Sequence, residues 1–202
     1  SDAVTHVLLK QLEAEKEAVI VVLSDHGEEF AERGGFGHER TLFEETVRIP
    51  FLLRFPDRRF AGRVVDQPVS LVDVLPTLAE VARVPVPDGL HGRSLLKLLR
   101  GAKGGGADVF LELARGLDQS AIVSGPWKLV RSRVEPGQSW LYDLGNDPGE
   151  LTDRFSSDAG RASVMGNVLD ERLRAWARPA PAATEALNQE QVGALKALGY
   201  VK

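Results

Sequence analysis

An aspartate and a histidine stand side by side at the predicted end of a buried strand. Residues 18–23 form a continuous, β-branched apolar run, the pattern of a strand covered on both faces in an α/β sheet. Asp25 and His26 follow this run after a single serine, at the strand end where open α/β sheets bind ligands. Carboxylate and imidazole are both good ligands for a divalent cation. The pair indicates a metal site, with a structural alternative in which Asp25 caps the next helix and His26 packs on loop backbone.

A glycine-rich loop brings a second imidazole toward the same strand end. Gly34, Gly35 and Gly37 precede His38. Three glycines in four positions predict a loop that turns sharply or whose backbone comes close to another group. His38 is therefore a candidate partner of the aspartate and histidine before it. The alternative is an imidazole that is hydrogen-bonded within its own loop.

The elements that must position these residues fall into two groups. The first group has a predicted amphipathic helix at 4–12, strands at 18–23 and 49–55, a helix at 71–82 after a capping box, and a short helix at 94–100. Beyond a glycine-rich linker at 101–106, the second group has strands at 109–113, 121–123, 127–130 and 139–144 and helices at 159–176 and 188–198. We therefore predict an α/β fold: a partial, mostly parallel sheet flanked by helices in residues 1–104, then a small antiparallel sheet with a packing helix in residues 105–202.

Composition excludes several classes of function. The chain has 202 residues, 43% of them hydrophobic, and a net charge of −4. This balance argues against nucleic-acid binding as the main task, and no apolar run approaches the ~20 residues that cross a bilayer. With no cysteine, the chain has neither a disulfide nor a thiolate metal ligand. Its only methionine is Met165 rather than residue 1, so we expect a chain that was processed or cut from a longer one.

Several short motifs, taken in order, resemble a known family. In order and spacing they are similar to the second half of the catalytic domain, and the small C-terminal subdomain, of sulfatases in the alkaline phosphatase superfamily. The motifs are Ser24-Asp25-His26-Gly27-Glu28, Gly37-His38, Thr41-Leu42-Phe43-Glu44-Glu45 and Arg48-Ile49-Pro50, with further matches at 68–78, 92–95, 127–129, 141–150 and 195–200. Several such motifs in the family's order are far more specific than any one of them.

The resemblance implies roles for three residues. Asp25 and His26 would be two ligands of one divalent metal ion, which stabilises the charge that develops during ester cleavage. His38 would be a catalytic residue of the substrate pocket, donating to an ester oxygen or protonating the leaving group. Many sulfatases have Asn in place of His26 and bind calcium, whereas a histidine there is similar to members that use manganese or zinc.

The chain also departs from the family's pattern. It contains no Cys/Ser-x-Pro-x-Arg stretch, so the formylglycine nucleophile is expected only in a preceding N-terminal part, and no nucleophile is expected in this chain. Glu39 stands where many members have Lys. Arg33 and Arg40 are candidate substitutes, although each is interpreted as a solvated loop charge. Glu28 and Glu29 are interpreted as carboxylates that cap a helix start, outside the site; the alternative is that they orient His26 by contacting its ring.

Three functions follow from these observations. The leading one is metal-dependent hydrolysis of sulfate esters, with a small-molecule or glycan sulfate as substrate. The second, motivated by His26, is hydrolysis of phosphonate or phosphate mono- or diesters. The third, motivated by the missing nucleophile, is a non-catalytic role for the isolated chain. Periplasmic, extracellular and cytoplasmic locations all remain open, as does the oligomeric state.

Overall fold

The computed structural model describes residues 17–102, 107–114, 118–135 and 137–176, together with residues 6, 7, 10, 11 and 192. The chain forms two compact units, Ser1–Leu169 and Asp170–Lys202. In the described part of the second unit, the Arg172 guanidinium lies 5.0 Å from the centroid of the Trp176 ring. Of the helix predicted at 4–12, residues 6, 7, 10 and 11 are described and are helical, whereas only residue 192 is described of the helix predicted at 188–198. Among the described residues, no helix combines the length and apolar character needed to span a bilayer.

Five short elements lie between residues 20 and 54. They are strands β1 (Ile20–Leu23), β2 (Glu29–Phe30) and β3 (Phe36–Gly37), helix α1 (Glu44–Val47) and strand β4 (Phe51–Arg54). β1 pairs with β4, and β2 pairs with β3 in a short hairpin. Both strands predicted at 18–23 and 49–55 are therefore present, each shorter than predicted.

The predicted mostly parallel sheet is wrong for these two strands, because β1 and β4 pair antiparallel. The connection between them holds only the β2–β3 hairpin and the single turn of α1, and no crossover helix of the kind that parallel neighbours require. The continuous apolar run at 18–23 indicates a strand covered on both faces but does not determine the direction of its neighbour. Leu52, in the middle of β4, is 58% exposed, so one face of this sheet is open in the described chain.

A small apolar core supports the β1–β4 sheet. A 3-10 turn (Leu71–Asp73) leads into α2 (Val74–Ala82), and α3 (Leu96–Leu99) follows. Phe55, Leu96 and Leu99 are buried together, with Val19 and Leu53 packed against them. The predicted capping box is present: the Ser70 backbone N–H donates to Asp73 Oδ2 at 2.9 Å.

The second group of elements is a four-stranded antiparallel sheet followed by a long helix. The strands β5 (Val109–Leu113), β6 (Gln119–Ser124), β7 (Trp127–Ser132) and β8 (Ser139–Asp143) pair in sequence order, and α4 spans Ala159–Trp176. Ala162, Met165 and Leu169 form the buried stripe of α4. The predicted antiparallel sheet and helix are confirmed, with strand bounds that differ by at most two residues.

The segment that carries α1 packs on this second sheet. Leu42 forms one buried cluster with Ala121 of β6 and Val130 of β7. The Leu42 backbone N–H also donates to the buried Gln119 Oε1 at 2.9 Å. Apolar packing and a buried hydrogen bond therefore join the loop after β3 to β6 and β7 within the first unit.

Candidate metal and catalytic site

The turn after β1 presents a carboxylate and an imidazole to solvent. Ser24 Oγ donates to the His26 carbonyl oxygen at 2.6 Å, and the His26 backbone N–H donates to Asp25 Oδ1 at 3.1 Å. His26 Nδ1 lies 2.8 Å from the Gly27 carbonyl oxygen. Because a carbonyl only accepts, Nδ1 carries the proton and the neutral ring keeps its lone pair on Nε2. Nε2 lies 3.7 Å from Asp25 Oδ2, so one cation could contact both atoms.

The Asp25 carboxylate is ionised at neutral pH. Its pKa lies below the usual value, chiefly because its own backbone N–H donates to it, and the neighbouring imidazole of His26 and hydroxyl of Ser24 act in the same direction. A metal ligand must be deprotonated to bind, and this carboxylate meets that requirement without displacing a proton.

The hairpin places His38 beside a second carboxylate. His38 Nδ1 lies 2.9 Å from Glu28 Oε2. The carboxylate accepts, so Nδ1 donates and Nε2 is the ring nitrogen left for other contacts. A carboxylate at Nδ1 fixes the orientation of the ring. The interpretation of Glu28 as a helix cap is wrong, because it is the hydrogen-bond partner of His38.

The two imidazoles meet face to face. The rings of His26 and His38 are stacked with centroids 3.7 Å apart and planes 20° from parallel. The predicted proximity of the two histidines is therefore present in the structure. His26, Glu28 and His38 each offer a ligand atom, all within 4.8 Å of one another, so this side of the site also has the donors to hold a metal ion.

The residues present fit a divalent cation. Both Nδ1 atoms are used in hydrogen bonds to oxygen, which leaves Nε2 of each ring as the atom that can bind a cation. An ionised carboxylate stands beside one of them. Imidazole with carboxylate is a donor set suited to manganese or zinc, and carboxylate alone suits calcium as well.

Gly27 brings the end of β1 onto helix α1. Its backbone N–H donates to the Thr46 carbonyl oxygen at 2.8 Å. A Cβ added at this position would collide with the backbone carbonyl of Glu45. The chain after His26 can pass this close to α1 only because residue 27 has no side chain.

Glu29 holds the loop that leads to His38. Its side chain is 2% exposed, and its Oε1 accepts from the Arg33 backbone N–H at 3.1 Å and the Gly35 backbone N–H at 2.8 Å. Glu29 is therefore an internal cap of a loop rather than of a helix. The glycines around it let the loop close on this one carboxylate.

Arg33 is half-buried and makes specific contacts, so its interpretation as a solvated loop charge is wrong. Its Nε donates to Glu45 Oε1 at 2.6 Å, and its terminal nitrogens donate to the carbonyl oxygens of Gly149 at 3.0 Å and Glu150 at 3.3 Å. The guanidinium also lies 3.8 Å from the centroid of the Phe43 ring. Arg33 thus ties the loop that precedes His38 to both α1 and the segment after β8.

A buried ion pair continues this connection into the second sheet. Lys128 Nζ lies 3.0 Å from Glu44 Oε1 and 2.9 Å from Glu150 Oε1, and both the Lys128 and Glu150 side chains are fully buried. Glu150 Oε2 accepts from the Glu44 backbone N–H at 2.7 Å and lies 3.4 Å from Arg33 Nη2. We call Arg33, Glu44, Glu45, Lys128 and Glu150 the buried charge network.

Glu150 has both a shifted carboxyl pKa and a left-handed backbone conformation. Burial raises the pKa of its carboxyl, opposed by the nearby ammonium of Lys128. Its φ is 52°, in the left-handed region that residues with a Cβ seldom adopt. Three contacts, from Lys128, Arg33 and the Glu44 N–H, compensate for this backbone conformation and for the desolvation of the carboxylate.

The sequence located the residues at the strand end and missed those that support them. Asp25, His26 and His38 lie together as expected. Glu28, Lys128 and Glu150 were not selected, although all three belong to the quoted motifs. The sequence offered one signal for these partners, which is Lys128 inside the apolar strand predicted at 127–130. A lysine at a buried strand position requires a partner of opposite charge.

The chain matches the family model described as N-sulphoglucosamine sulphohydrolase, C-terminal, over residues 32–178. It is also 31% identical over 181 residues to arylsulfatase K of Mus musculus, a match that covers 82% of this chain and 31% of that protein. The chain belongs to the sulfatase family of the alkaline phosphatase superfamily. This chain spans about a third of the length of the arylsulfatase K proteins that it matches.

Solved structures support the same fold. A structure described as BT4656 in complex with its substrate D-glucosamine-2-N,6-O-disulfate has a TM-score of 0.69 at 25% identity, and covers 89% of this sulfatase chain and 39% of that protein. The phosphonate monoester hydrolase of Agrobacterium radiobacter has a TM-score of 0.62 at 27% identity and covers 91% and 40%. The described strands and helices of this chain are therefore similar to the corresponding part of sulfatase-type hydrolases.

Proposed function

We propose that this chain is the later part of a metal-dependent sulfuric ester hydrolase and supplies Asp25, His26 and His38 to its active site. The observation that supports this proposal is the pair of stacked imidazoles after the end of β1. In each ring Nδ1 is hydrogen-bonded to an oxygen, and Nε2 is left for a ligand or substrate. Residues 1–104 would belong to the catalytic domain and residues 105–202 to the small C-terminal subdomain.

Asp25 and His26 are the proposed ligands of one divalent metal ion. When bound, such an ion supplies Lewis-acid stabilisation of the anionic ester oxygens. The lowered pKa of Asp25 and the hydrogen bond from His26 Nδ1 to Gly27 keep both ligands in the form that binds a cation. Calcium, manganese and zinc all accept this pair of donors, and the imidazole favours manganese or zinc.

His38 is the proposed catalytic residue on the leaving-group side. Glu28 holds Nδ1, so Nε2 is the atom that faces the ester and exchanges a proton or a hydrogen bond with the leaving oxygen. The formylglycine nucleophile, and further carboxylate ligands, would come from a part of the enzyme outside this chain. The isolated 202-residue chain is accordingly proposed to be catalytically inactive.

The proposed substrate is a small-molecule or glycan sulfate ester. A solved relative is described as bound to a doubly sulfated glucosamine, and this supports a sulfated sugar as one candidate. The second candidate function is phosphonate or phosphate ester hydrolysis. It is favoured by His26 and by the similarity to a phosphonate monoester hydrolase, and it differs from the first only in the acid that is cleaved.

A substrate panel separates these candidates. We expect the full gene product that contains this chain to cleave 4-nitrophenyl sulfate with a kcat/KM at least about tenfold above that for phenyl phosphonate and phosphate esters, because a tenfold preference corresponds to only ~1.4 kcal/mol of transition-state binding. The measurement is initial-rate kinetics with calcium, manganese or zinc added back to metal-free enzyme.

The same kinetic measurements can contradict each of the two candidate functions. The opposite preference assigns the enzyme to phosphoester chemistry and contradicts the sulfatase proposal. Single-turnover cleavage by the isolated 202-residue chain would contradict the proposed absence of a nucleophile. The control is the full gene product with Val64→Ala, a change at an exposed loop residue.

A further inference from the structure

The β2–β3 hairpin carries two exposed phenylalanines. Phe30 is 70% exposed and Phe36 is 73% exposed. They stand directly opposite each other in the hairpin. Two large aromatic side chains held this far open to water, side by side, are unfavourable unless something else contacts them.

The register of the hairpin places this pair beside the candidate site. Glu29 pairs with Gly37 and Phe30 with Phe36, and Glu28 and His38 are the next residues along the two segments of the hairpin. The Glu28 and His38 side chains are hydrogen-bonded to each other at 2.9 Å. The phenylalanine pair therefore lies two residues along the hairpin from the Glu28–His38 contact.

The residue between Glu28 and Phe30 is buried. Glu29 is 2% exposed and binds loop amides. Two residues of strand correspond to about 7 Å. The aromatic pair therefore lies about 7 Å along the hairpin from His38, the residue that would face the ester oxygen. A six-membered ring with its ester oxygen spans about this distance.

From this placement we propose that Phe30 and Phe36 form a binding surface for a ring in the leaving group of the ester. The inference rests on the proposed function, because it takes His38 as the residue at the ester oxygen. Aromatic side chains bind the face or edge of another ring with little loss of conformational freedom. The ligand class is an aryl or pyranose ring whose hydroxyl carries the acid group.

The test compares ring and non-ring esters in the full gene product. We expect Phe30→Ala and Phe36→Ala each to lower kcat/KM for phenyl sulfate by about three- to tenfold, mainly through KM. For methyl sulfate, which lacks a ring, we expect less than about a twofold change. The matched control is Leu52→Ala, which removes an exposed apolar side chain on β4. This variant should leave kcat/KM unchanged for both phenyl sulfate and methyl sulfate.

Three results would overturn the inference. An equal loss with phenyl and methyl sulfate, or unchanged kinetics with a lowered Tm, would mean that the phenylalanines contact protein instead of substrate. If the wild-type enzyme cleaves phosphonate esters and no sulfate esters, the sulfatase proposal fails, and the same ratio measured with phenyl and methyl phosphonate esters decides the inference separately. A wild-type enzyme that cleaves neither series overturns both.

Discussion

Replacing Lys128 by Met should lower the free energy of unfolding by about 3–5 kcal/mol, because removing one partner of a buried ion pair leaves an uncompensated buried charge. Lys128 is fully buried and lies within 3.0 Å of carboxylate oxygens of both Glu44 and Glu150. Methionine fills a similar volume but cannot compensate the Glu150 carboxylate, whose pKa burial already raises. The loss is large compared with the 5–15 kcal/mol that stabilises an ordinary domain.

Urea denaturation followed by circular dichroism measures this effect. The matched control is Arg133→Met, because Arg133 follows the same strand but pairs with Asp118 and Glu112 at the half-exposed edge of the sheet. Exposed ion pairs contribute about 0–1 kcal/mol, so the control should change stability little. Equal, small losses for the two variants would contradict the inference that the buried charge network stabilises this part of the fold.

Replacing His38 by Ala should lower kcat for sulfate ester cleavage by about 10²–10⁴-fold, the usual contribution of a positioned acid or base. Glu28→Gln should cost less, about ten- to a hundredfold, because the ring remains but loses the carboxylate that orients it. The rates are measured in the full gene product with an aryl sulfate. His91→Ala, in the turn before Gly92, is the control for loss of an imidazole.

The variant that lacks both His38 and Glu28 tests whether Glu28 acts through His38. If Glu28 acts through His38, the double variant should be no slower than His38→Ala alone, because the two residues act as a unit. Unchanged turnover in His38→Ala would contradict the catalytic assignment. A loss that is additive for the two residues would contradict the proposed role of Glu28 in orienting the ring.

Local patterns predicted the second sheet well and also indicated which residues lie close together at the end of β1. The four strands of residues 109–143 are short β-branched or aromatic runs bounded by turn residues, and each was located to within two residues. The position of Asp25 and His26 was predictable because their neighbours in sequence, the apolar strand and Gly27, also determine their position in space. For His38, the glycines of the preceding loop gave the signal.

Partners that are far apart in sequence could not be predicted in the same way. Arg33 and Glu150 are separated by 117 residues, and no local pattern indicates that this loop meets the turn after β8. Arg33 was therefore interpreted as a solvated charge. The direction of β4 relative to β1 was mispredicted for a related reason, since strand pairing depends on the path of the connection and not on the apolar content of the strand.

The most direct test of the central proposal is the metal content of Asp25→Ala and His26→Ala, measured on the purified full gene product together with turnover of an aryl sulfate. We expect one divalent ion per wild-type chain, loss of that ion in both variants, and a fall in kcat/KM of at least about a hundredfold. Asp118→Ala, which removes an exposed carboxylate from the second sheet, should keep both the ion and the rate. Full metal content and an unchanged rate in Asp25→Ala would contradict the proposed metal site.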